Sequence, residues 1–238
     1  MRAIFVLADK ELRTSLGSPA SYVVAAVFVA LSGASFSLYI IGSGYADTSI
    51  RGFVDAAQVL VLLFSVLVAM RLISEEQRTG TWELMLTAPV REIEVVLGKF
   101  IGAFLTLALI LVLTLYFPLL LAVFGDPDFG PIFTSYLGLF LLSGASLAVG
   151  LFASALTSSQ TAAAAIASGI LVALWSLGSA AQFGPVEIGR ILEFLSLSGN
   201  FSGFTRGVID SRSVIYFLSV NTLFLFMTAR FIEAKRGG

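Results

Sequence analysis

The sequence contains no cysteine and no histidine, and only 12% of its 238 residues are charged, against about 25% in ordinary soluble proteins. Without these two side chains there can be no disulfide, thiolate nucleophile, imidazole base or zinc site of the usual Cys/His kind. Haem held by His or Cys is excluded as well. A net charge of −1 provides no basic field, so nucleic acid is not expected as a partner.

Hydrophobic residues make up 58% of the chain, and the few charges are unevenly distributed. Long runs without any Asp, Glu, Lys or Arg cover residues 14–46, 56–70, 100–125, 129–186 and 213–229. A soluble domain of this length cannot bury so much uncharged chain in its core. The composition therefore predicts an integral membrane protein.

The uncharged runs can be divided into spans by length, because a helix needs about 20 apolar residues to cross the hydrocarbon core. The run 129–186 would form one helix of ~87 Å, so it has to fold back, and the polar string 157–161 is the expected break. Pro118 is expected to kink the third span. The prediction is an all-α integral membrane protein, one transmembrane domain over 1–238, with spans at 22–42, 53–73, 100–124, 133–156, 162–183 and 213–232.

The basic residues predict the orientation of these spans. With six spans both chain ends lie on one side, and the segments on that side hold all Lys and Arg side chains except Arg51, Arg190, Arg206 and Arg212. Basic residues are enriched in cytoplasmic loops. We therefore expect a multi-pass protein of the bacterial inner membrane with both termini in the cytoplasm.

The residues before the first span, 1–20, are patterned as an amphipathic helix over 3–16. One face carries Phe5, Ala8, Leu12 and Leu16, and the other carries Asp9, Lys10 and Arg13. Such a helix suits the cytoplasmic headgroup layer, and the alternative is a frayed start to the first span. The charges also interrupt any apolar core of a cleavable signal, which is therefore not expected.

The longest predicted cytoplasmic loop, 74–99, is charged at both ends and apolar in the middle. Thr79, Gly80 and Thr81 supply turn and N-cap chemistry for a short helix that ends near Pro89, because the residue before proline resists helical geometry. Its side chains are Trp82, Glu83, Leu84, Met85 and Leu86. An aqueous loop has no reason of its own to display this cluster, so it packs either under its own bundle or into another protein.

The segment 184–212 is predicted to lie on the outer side. Ile188, Ile191, Leu192 and Leu195 follow helical spacing, and Phe201, Phe204 and Val208 repeat it after Gly199 and Asn200. The pattern indicates two short amphipathic helices that rest at the outer interface or dip into it. An ordinary cap over the span ends is the alternative.

The sequence offers little catalytic chemistry of its own. It contains no GxxxxGK[ST] motif, so the chain is not expected to hydrolyse nucleotide or to bind a cofactor or metal. No Asp, Glu, Lys or Arg lies near the middle of a span, which argues against ion-coupled transport. Lys99 is expected to snorkel at the end of the third span, and Gln58 and Asn221 are interpreted as interhelical hydrogen bonders.

Small residues mark faces where helices can approach closely. The pairs are Ser146 with Gly150 on the fourth span and Ala165 with Gly169 on the fifth. Such small-xxx-small pairs permit tight helix packing in membranes. The spacing is equally suited to packing within one bundle and to packing across a dimer.

The loop 74–99 resembles the signature loop of ABC-2 type permeases, whose pattern is roughly E-E-x-x-x-G-T-x-E-x-L-x-x-x-P followed by G-K. The residues that match this pattern are Glu75, Glu76, Gly80, Thr81, Glu83, Leu84, Pro89, Gly98 and Lys99. Two further stretches are similar to one branch of this family, which includes the gliding-motility (Gld) permeases and the permease for nitrous oxide reductase maturation. They are the amino-terminal KELRTSLGSPASYVV and the carboxyl-terminal third, from SLSGNFSGF to FIEAKR.

The resemblance implies a non-catalytic permease subunit of an ABC exporter that pairs with a second permease copy or a sister subunit, and with two ATPase subunits that carry ATP and Mg. Thr81 to Leu86, followed by Pro89, would form the coupling helix that docks on the ATPase. Phe5, Lys10, Leu12 and Arg13 would belong to the connecting helix. Membrane lipid and a periplasmic protein are further possible partners by this analogy.

Two other functions remain open from the sequence. A membrane anchor that assembles other proteins would differ little in sequence from a permease. An intramembrane lipid-modifying enzyme would need a polar cluster facing a cavity, for which Gln58, Asn221 and Ser/Thr residues are the candidates. Neither the cargo nor the choice between export and transmission of force can be read from the sequence.

Overall fold

The computed structural model describes residues 2–42, 50–80, 91–125, 127–183 and 185–236, and these residues form helices joined by short turns, without a strand among them. The α-helices are α1 (Arg2–Gly17), α2 (Pro19–Gly42), α3 (Arg51–Ala69), α4 (Ser74–Thr79), α5 (Glu92–Leu113), α6 (Tyr116–Phe124), α7 (Phe129–Leu156), α8 (Gln160–Ala180), α9 (Val186–Leu195), α10 (Leu197–Thr205) and α11 (Ser211–Arg236). The all-α prediction is confirmed.

Six helical segments of the described chain are long and apolar enough to cross a membrane, as the sequence predicts. They are Ser21–Gly42, Arg51–Thr79, Glu92–Val123, Phe129–Leu156, Gln160–Ala180 and Ser211–Arg236. The two chain ends meet at one end of the bundle, because α1 packs against the first turns of α5 and Arg236 reaches Glu92. We call this the proximal end and the opposite one the distal end.

The third span carries the interruption that Pro118 predicts, between α5 and α6 at Thr114 and Leu115. Its helix begins at Glu92, so it extends eight positions to the proximal side of the apolar run that starts at Phe100. Pro118 causes the break, because its ring clashes with the carbonyl four residues earlier, that of Thr114. The Thr114 hydroxyl stabilises the interruption by donating to the Leu111 carbonyl at 2.6 Å.

The fold-back of the long uncharged run lies where the sequence places it. Helix α7 ends at Leu156, Thr157 is extended, and α8 begins at Gln160. The Ser159 hydroxyl accepts from the Ala162 backbone N–H at 3.4 Å and caps α8. Ser and Thr end helices in this way because their hydroxyls compete for backbone groups.

Helix α7 is the central element, since it contacts α3, α5, α8, α10 and α11. Small buried residues make this position possible. A Cβ on Gly150 would lie 2.5 Å from the Ala69 Cβ of α3, and the Ser146 hydroxyl donates to the Ser65 hydroxyl at 2.7 Å. Ser146 and Gly150 therefore pack inside a single chain, against α3.

The distal end is closed by the segment between α8 and α11. Helix α9 keeps an apolar face exposed, with Ile188 and Ile191 more than half exposed, while α10 inserts into the bundle with Phe201 and Phe204 buried. The Phe204 carbonyl accepts from the Thr134 hydroxyl of α7 at 2.7 Å. One of the two short helices thus lies on the surface and the other is packed among the spans.

Candidate functional site

A buried lysine is the central feature of the proximal end. The Lys99 side chain on α5 is 1% exposed, and its Nζ lies 2.8 Å from the Glu11 Oε1 of α1 and 2.7 Å from the Glu76 Oε1 of α4. The prediction that Lys99 snorkels is wrong, because two carboxylates from other helices hold the ammonium inside the protein. We call Glu11, Lys99 and Glu76 the ion cluster.

Glycine explains how α1 comes close enough to place Glu11 beside Lys99. A Cβ on Gly98 would lie 2.6 Å from the Leu7 Cβ, and a Cβ on Gly102 would lie 2.5 Å from the Glu11 Cβ. The two glycines are four positions apart, so they form one smooth strip on α5. Helix α1 lies across this strip, and only glycine allows that approach.

The third member, Glu76, is positioned by a break in the second span. The helix stops after Ala69 and resumes as α4, and the Ser154 hydroxyl of α7 accepts from the Ile73 and Ser74 backbone N–H groups at 3.1 and 3.0 Å. These donors lose their helical partners at the break, so Ser154 replaces the missing carbonyls. Gly80 then ends α4 in the left-handed conformation, at φ 75°.

The electrostatics of the ion cluster favour a fixed geometry. One ammonium faces two carboxylates whose side chains are 18% and 17% exposed, so each charge is paired and largely removed from water. A buried ion pair adds little net stability, because desolvation offsets the attraction, yet removing one partner costs about 3–5 kcal/mol. The cluster therefore acts as a joint that keeps α1, α4 and α5 in one arrangement.

Further contacts extend this joint to the end of the chain. The Arg236 Nη1 of α11 lies 2.6 Å from the Glu92 Oε1 of α5, and the Lys235 Nζ donates to the Gln77 Oε1 at 3.3 Å. The Gln77 Nε2 donates to the Ala155 carbonyl of α7 at 3.0 Å. The helices that flank residues 81–90, α4 and α5, are thus tied by polar contacts to α1, α7 and α11.

The predicted coupling residues lie outside the described residues, so their placement stays a prediction. They are Thr81, Trp82, Glu83, Leu84, Met85, Leu86 and Pro89. The described chain stops at Gly80, at the end of α4, and resumes at Arg91, one residue before α5. The described residues that flank this segment, Gly80 and Arg91, therefore adjoin α4 and α5, the helices that carry Glu76 and Lys99.

The residues predicted to form a helix before the first span form α1, which is separated from α2 by Ser18, and the role of α1 as a connecting helix stays a prediction. Its side chains divide into two sets. Phe5 is 72% exposed, Lys10 and Arg13 are exposed, and Leu12 is half-buried. The face against α5 is instead formed by Ile4, Leu7, Ala8 and Glu11, so the predicted apolar face is turned partly outward.

The second small-residue pair is not used within the chain. Ala165 and Gly169 on α8 are exposed, and a Cβ on Gly169 would meet no atom within 4 Å. Gln58 and Asn221 also fail to join helices. The Gln58 amide donates to Asp55 on its own helix at 3.4 Å, and the Asn221 Oδ1 has no hydrogen-bond partner among the described residues.

Gly102 and Ser154 are functional positions that the sequence reasoning missed. The spacing Gly98-x-x-x-Gly102 is visible in the sequence and predicts close helix packing. Ser154 gave no signal, because a serine among the small residues of a span does not show which broken helix it will cap. The pairing of Glu11 with Lys99 is equally invisible, since 88 positions separate them.

Substituting Gly102 by valine is expected to detach α1 from the bundle. Overpacking costs about 1–3 kcal/mol, so a cysteine introduced at Ala8, which is 5% exposed, should react about tenfold faster with a maleimide. The chain has no other cysteine, so the label reports on this site alone. Gly169→Val is the matched control and should leave the rate unchanged; equal rates in both variants would contradict the packing role.

A comparison with protein families shows what the chain is similar to. Residues 5–196 match the family model described as ABC-2 family transporter protein. No curated protein matches the chain. The matched range contains all three members of the ion cluster and the glycine strip.

Proposed function

The chain belongs to the ABC-2 transporter family, whose members are membrane components of ABC transporters and not themselves catalysts, and we propose that it couples ATP hydrolysis by separate ATPase subunits to export or to force transmission. The observation that carries this proposal is the ion cluster. It connects α4 and α5, the helices on the two sides of residues 81–90, to each other and to α1.

The proposed route of the motion starts at residues 81–90, which dock on the ATPase. ATP-driven closure of the ATPases displaces this segment, and α4 moves with it through Gly80. Glu76 passes the displacement to Lys99 and so to α5, and Glu11 moves α1 with the same joint. The bundle then shifts between two packed arrangements. Each nucleotide state of the ATPases favours one of them, because the contacts between ATPase and permease differ between the two arrangements.

The proposed assembly has two permease chains and two ATPase subunits. The exposed Ala165 and Gly169 on α8 support packing against a second permease copy or a sister subunit, because small residues allow close approach in a membrane. ATP and Mg are bound by the partner ATPases. The proposal also includes a periplasmic partner. It further places the chain in the branch of the gliding-motility permeases and the permease for nitrous oxide reductase maturation.

The proposed setting is the bacterial inner membrane, with the proximal end in the cytoplasm. The excess of Lys and Arg in the segments at that end supports this orientation. The proximal end then faces the ATPases, and α9 and α10 face the periplasm.

Purification of the native complex tests the function. A tagged chain extracted from its own membranes in mild detergent is expected to carry an ABC ATPase in equimolar amount, and the reconstituted complex should hydrolyse ATP faster than the isolated ATPase. Mass spectrometry and phosphate release measure the two results. A complex that contains no nucleotide-hydrolysing subunit would contradict the proposal and favour a membrane anchor.

A further inference from the structure

A cavity of about 370 Å³ lies beside the ion cluster, between α1, α2, α3, α4 and α5. Its size is within the range of about 300–1,000 Å³ that is usual for small-molecule sites. The proposed coupling route uses the wall that carries Glu11, Glu76 and Lys99 and leaves the interior of the cavity without a role.

The lining of the cavity changes from polar to apolar along its depth. Lys10, Arg71 and Glu75 line it at the proximal end, where all three side chains are exposed or half-buried. Val24, Val68 and Ile110 line it farther into the bundle. Lys99 and Ile110 on α5 are about 16 Å apart along the helix axis at 1.5 Å per residue, so the cavity extends well into the depth of the membrane.

The charges at the mouth are available to a ligand. Lys99 is already paired with two carboxylates. By contrast, the Arg71 guanidinium and the Lys10 ammonium form no ion pair with another described residue. The mouth therefore holds two cations without an ion pair beside the Glu75 carboxylate, and the two cations above an apolar interior fit the phosphate and the hydrocarbon chain of an amphipathic molecule.

We propose that this cavity binds a phospholipid of the leaflet at the proximal end, with the phosphate at Arg71 and Lys10 and one acyl chain along Val24, Val68 and Ile110. Arginine is suited to this role because its planar guanidinium binds phosphate oxygens in a bidentate manner. The hydrocarbon chain enters because Val24, Val68 and Ile110 on the inner walls offer it apolar contacts. The inference rests on the membrane-spanning fold and not on the partner ATPase.

Native mass spectrometry of the detergent-purified chain tests the site. Phosphatidylethanolamine and phosphatidylglycerol are added separately, and the bound lipid is counted for each variant. Val68→Phe fills the cavity and is expected to reduce lipid binding about tenfold, whereas Val59→Phe, at a 58% exposed position of the same helix, should not. Arg71→Gln should weaken binding about tenfold, and Arg78→Gln on α4, which does not line the cavity, should not.

Further measurements distinguish a lipid phosphate from free inorganic phosphate, and they distinguish a failure of the lipid site from a failure of the proposed function. Inorganic phosphate alone is expected not to bind; binding of phosphate with the same dependence on Arg71 would overturn the lipid assignment. Equal lipid counts in all four folded variants, as judged by gel filtration, would also overturn it. If all four variants still co-purify with the ATPase and Val68→Phe, unlike Val59→Phe, loses the lipid, the lipid site is supported without any appeal to the proposed function.

Discussion

Replacing Lys99 by methionine is expected to destabilise the folded chain by about 3–5 kcal/mol, the cost of leaving buried carboxylates without their cation. Lys99 is 1% exposed and pairs with Glu11 and Glu76 at 2.8 and 2.7 Å. Methionine is one atom shorter than lysine, keeps most of its apolar stem, and removes the charge together with the ammonium N–H donors. The midpoint of thermal unfolding in detergent measures the loss, and Arg78→Met, at an exposed base of α4 that does not line the cavity, is the matched control.

A triple variant distinguishes lost charge pairing from lost packing. Combining Lys99→Met with Glu11→Gln and Glu76→Gln removes the unpaired charges, and replacement of a complete buried ion cluster by neutral groups is often neutral in stability. The triple variant should therefore recover most of the lost thermal stability. It should still fail to couple, because the joint between α1, α4 and α5 has lost its attraction. A single variant as stable as the unsubstituted chain would disprove the importance of the cluster.

Combining Glu83→Arg with Leu84→Asp is expected to abolish binding of the ATPase while leaving insertion into the membrane unchanged. The reason is the predicted docking of residues 81–86, since a reversed charge and a buried acid in place of leucine would each remove part of a desolvated interface. Co-purification of the ATPase with the tagged permease measures the loss, and the amount of chain in washed membranes measures insertion.

The distal end provides the matched control for this double substitution. Glu187→Arg with Ile188→Asp makes the same kind of change on α9, where both residues are exposed. This variant should keep the ATPase. If the variant with Glu83→Arg and Leu84→Asp keeps the ATPase, residues 81–86 do not dock. If both double variants lose the ATPase, the loss reflects a general effect on folding.

Much of the fold followed from local features of the sequence. The uncharged runs predict six spans, and the polar string 157–161 predicts the turn between α7 and α8. These features can be read from the sequence because backbone N–H and C=O groups in the hydrocarbon core must form their hydrogen bonds within the helix, so each long apolar run has to be a helix. The ends of the spans were less accurate, since charged residues such as Glu92 and Arg236 continue a helix beyond the hydrocarbon core.

The candidate site was readable only in part. Glu76 and Gly98 were selected only by their resemblance to a family motif, whereas Gly80 was also expected to form a turn and Lys99 to snorkel. The structure gives each a role: Gly80 ends α4, Gly98 admits α1, and Glu76 pairs with Lys99. Lys99 was interpreted as a solvent-seeking residue, because a sequence shows that a lysine lies near a membrane surface but not which carboxylates surround it.

By itself, the sequence determined that this is an integral membrane protein with six segments long and apolar enough to span the bilayer, and that it contains no cysteine, histidine or GxxxxGK[ST] motif. Those properties depend on composition and on periods of a few residues. Only the tertiary structure decided that Glu11, Glu76 and Lys99 meet, and that a polar-mouthed cavity opens beside them. The physical reason is that residues far apart in the chain are brought together by helix packing, which depends on the shapes of whole helix faces.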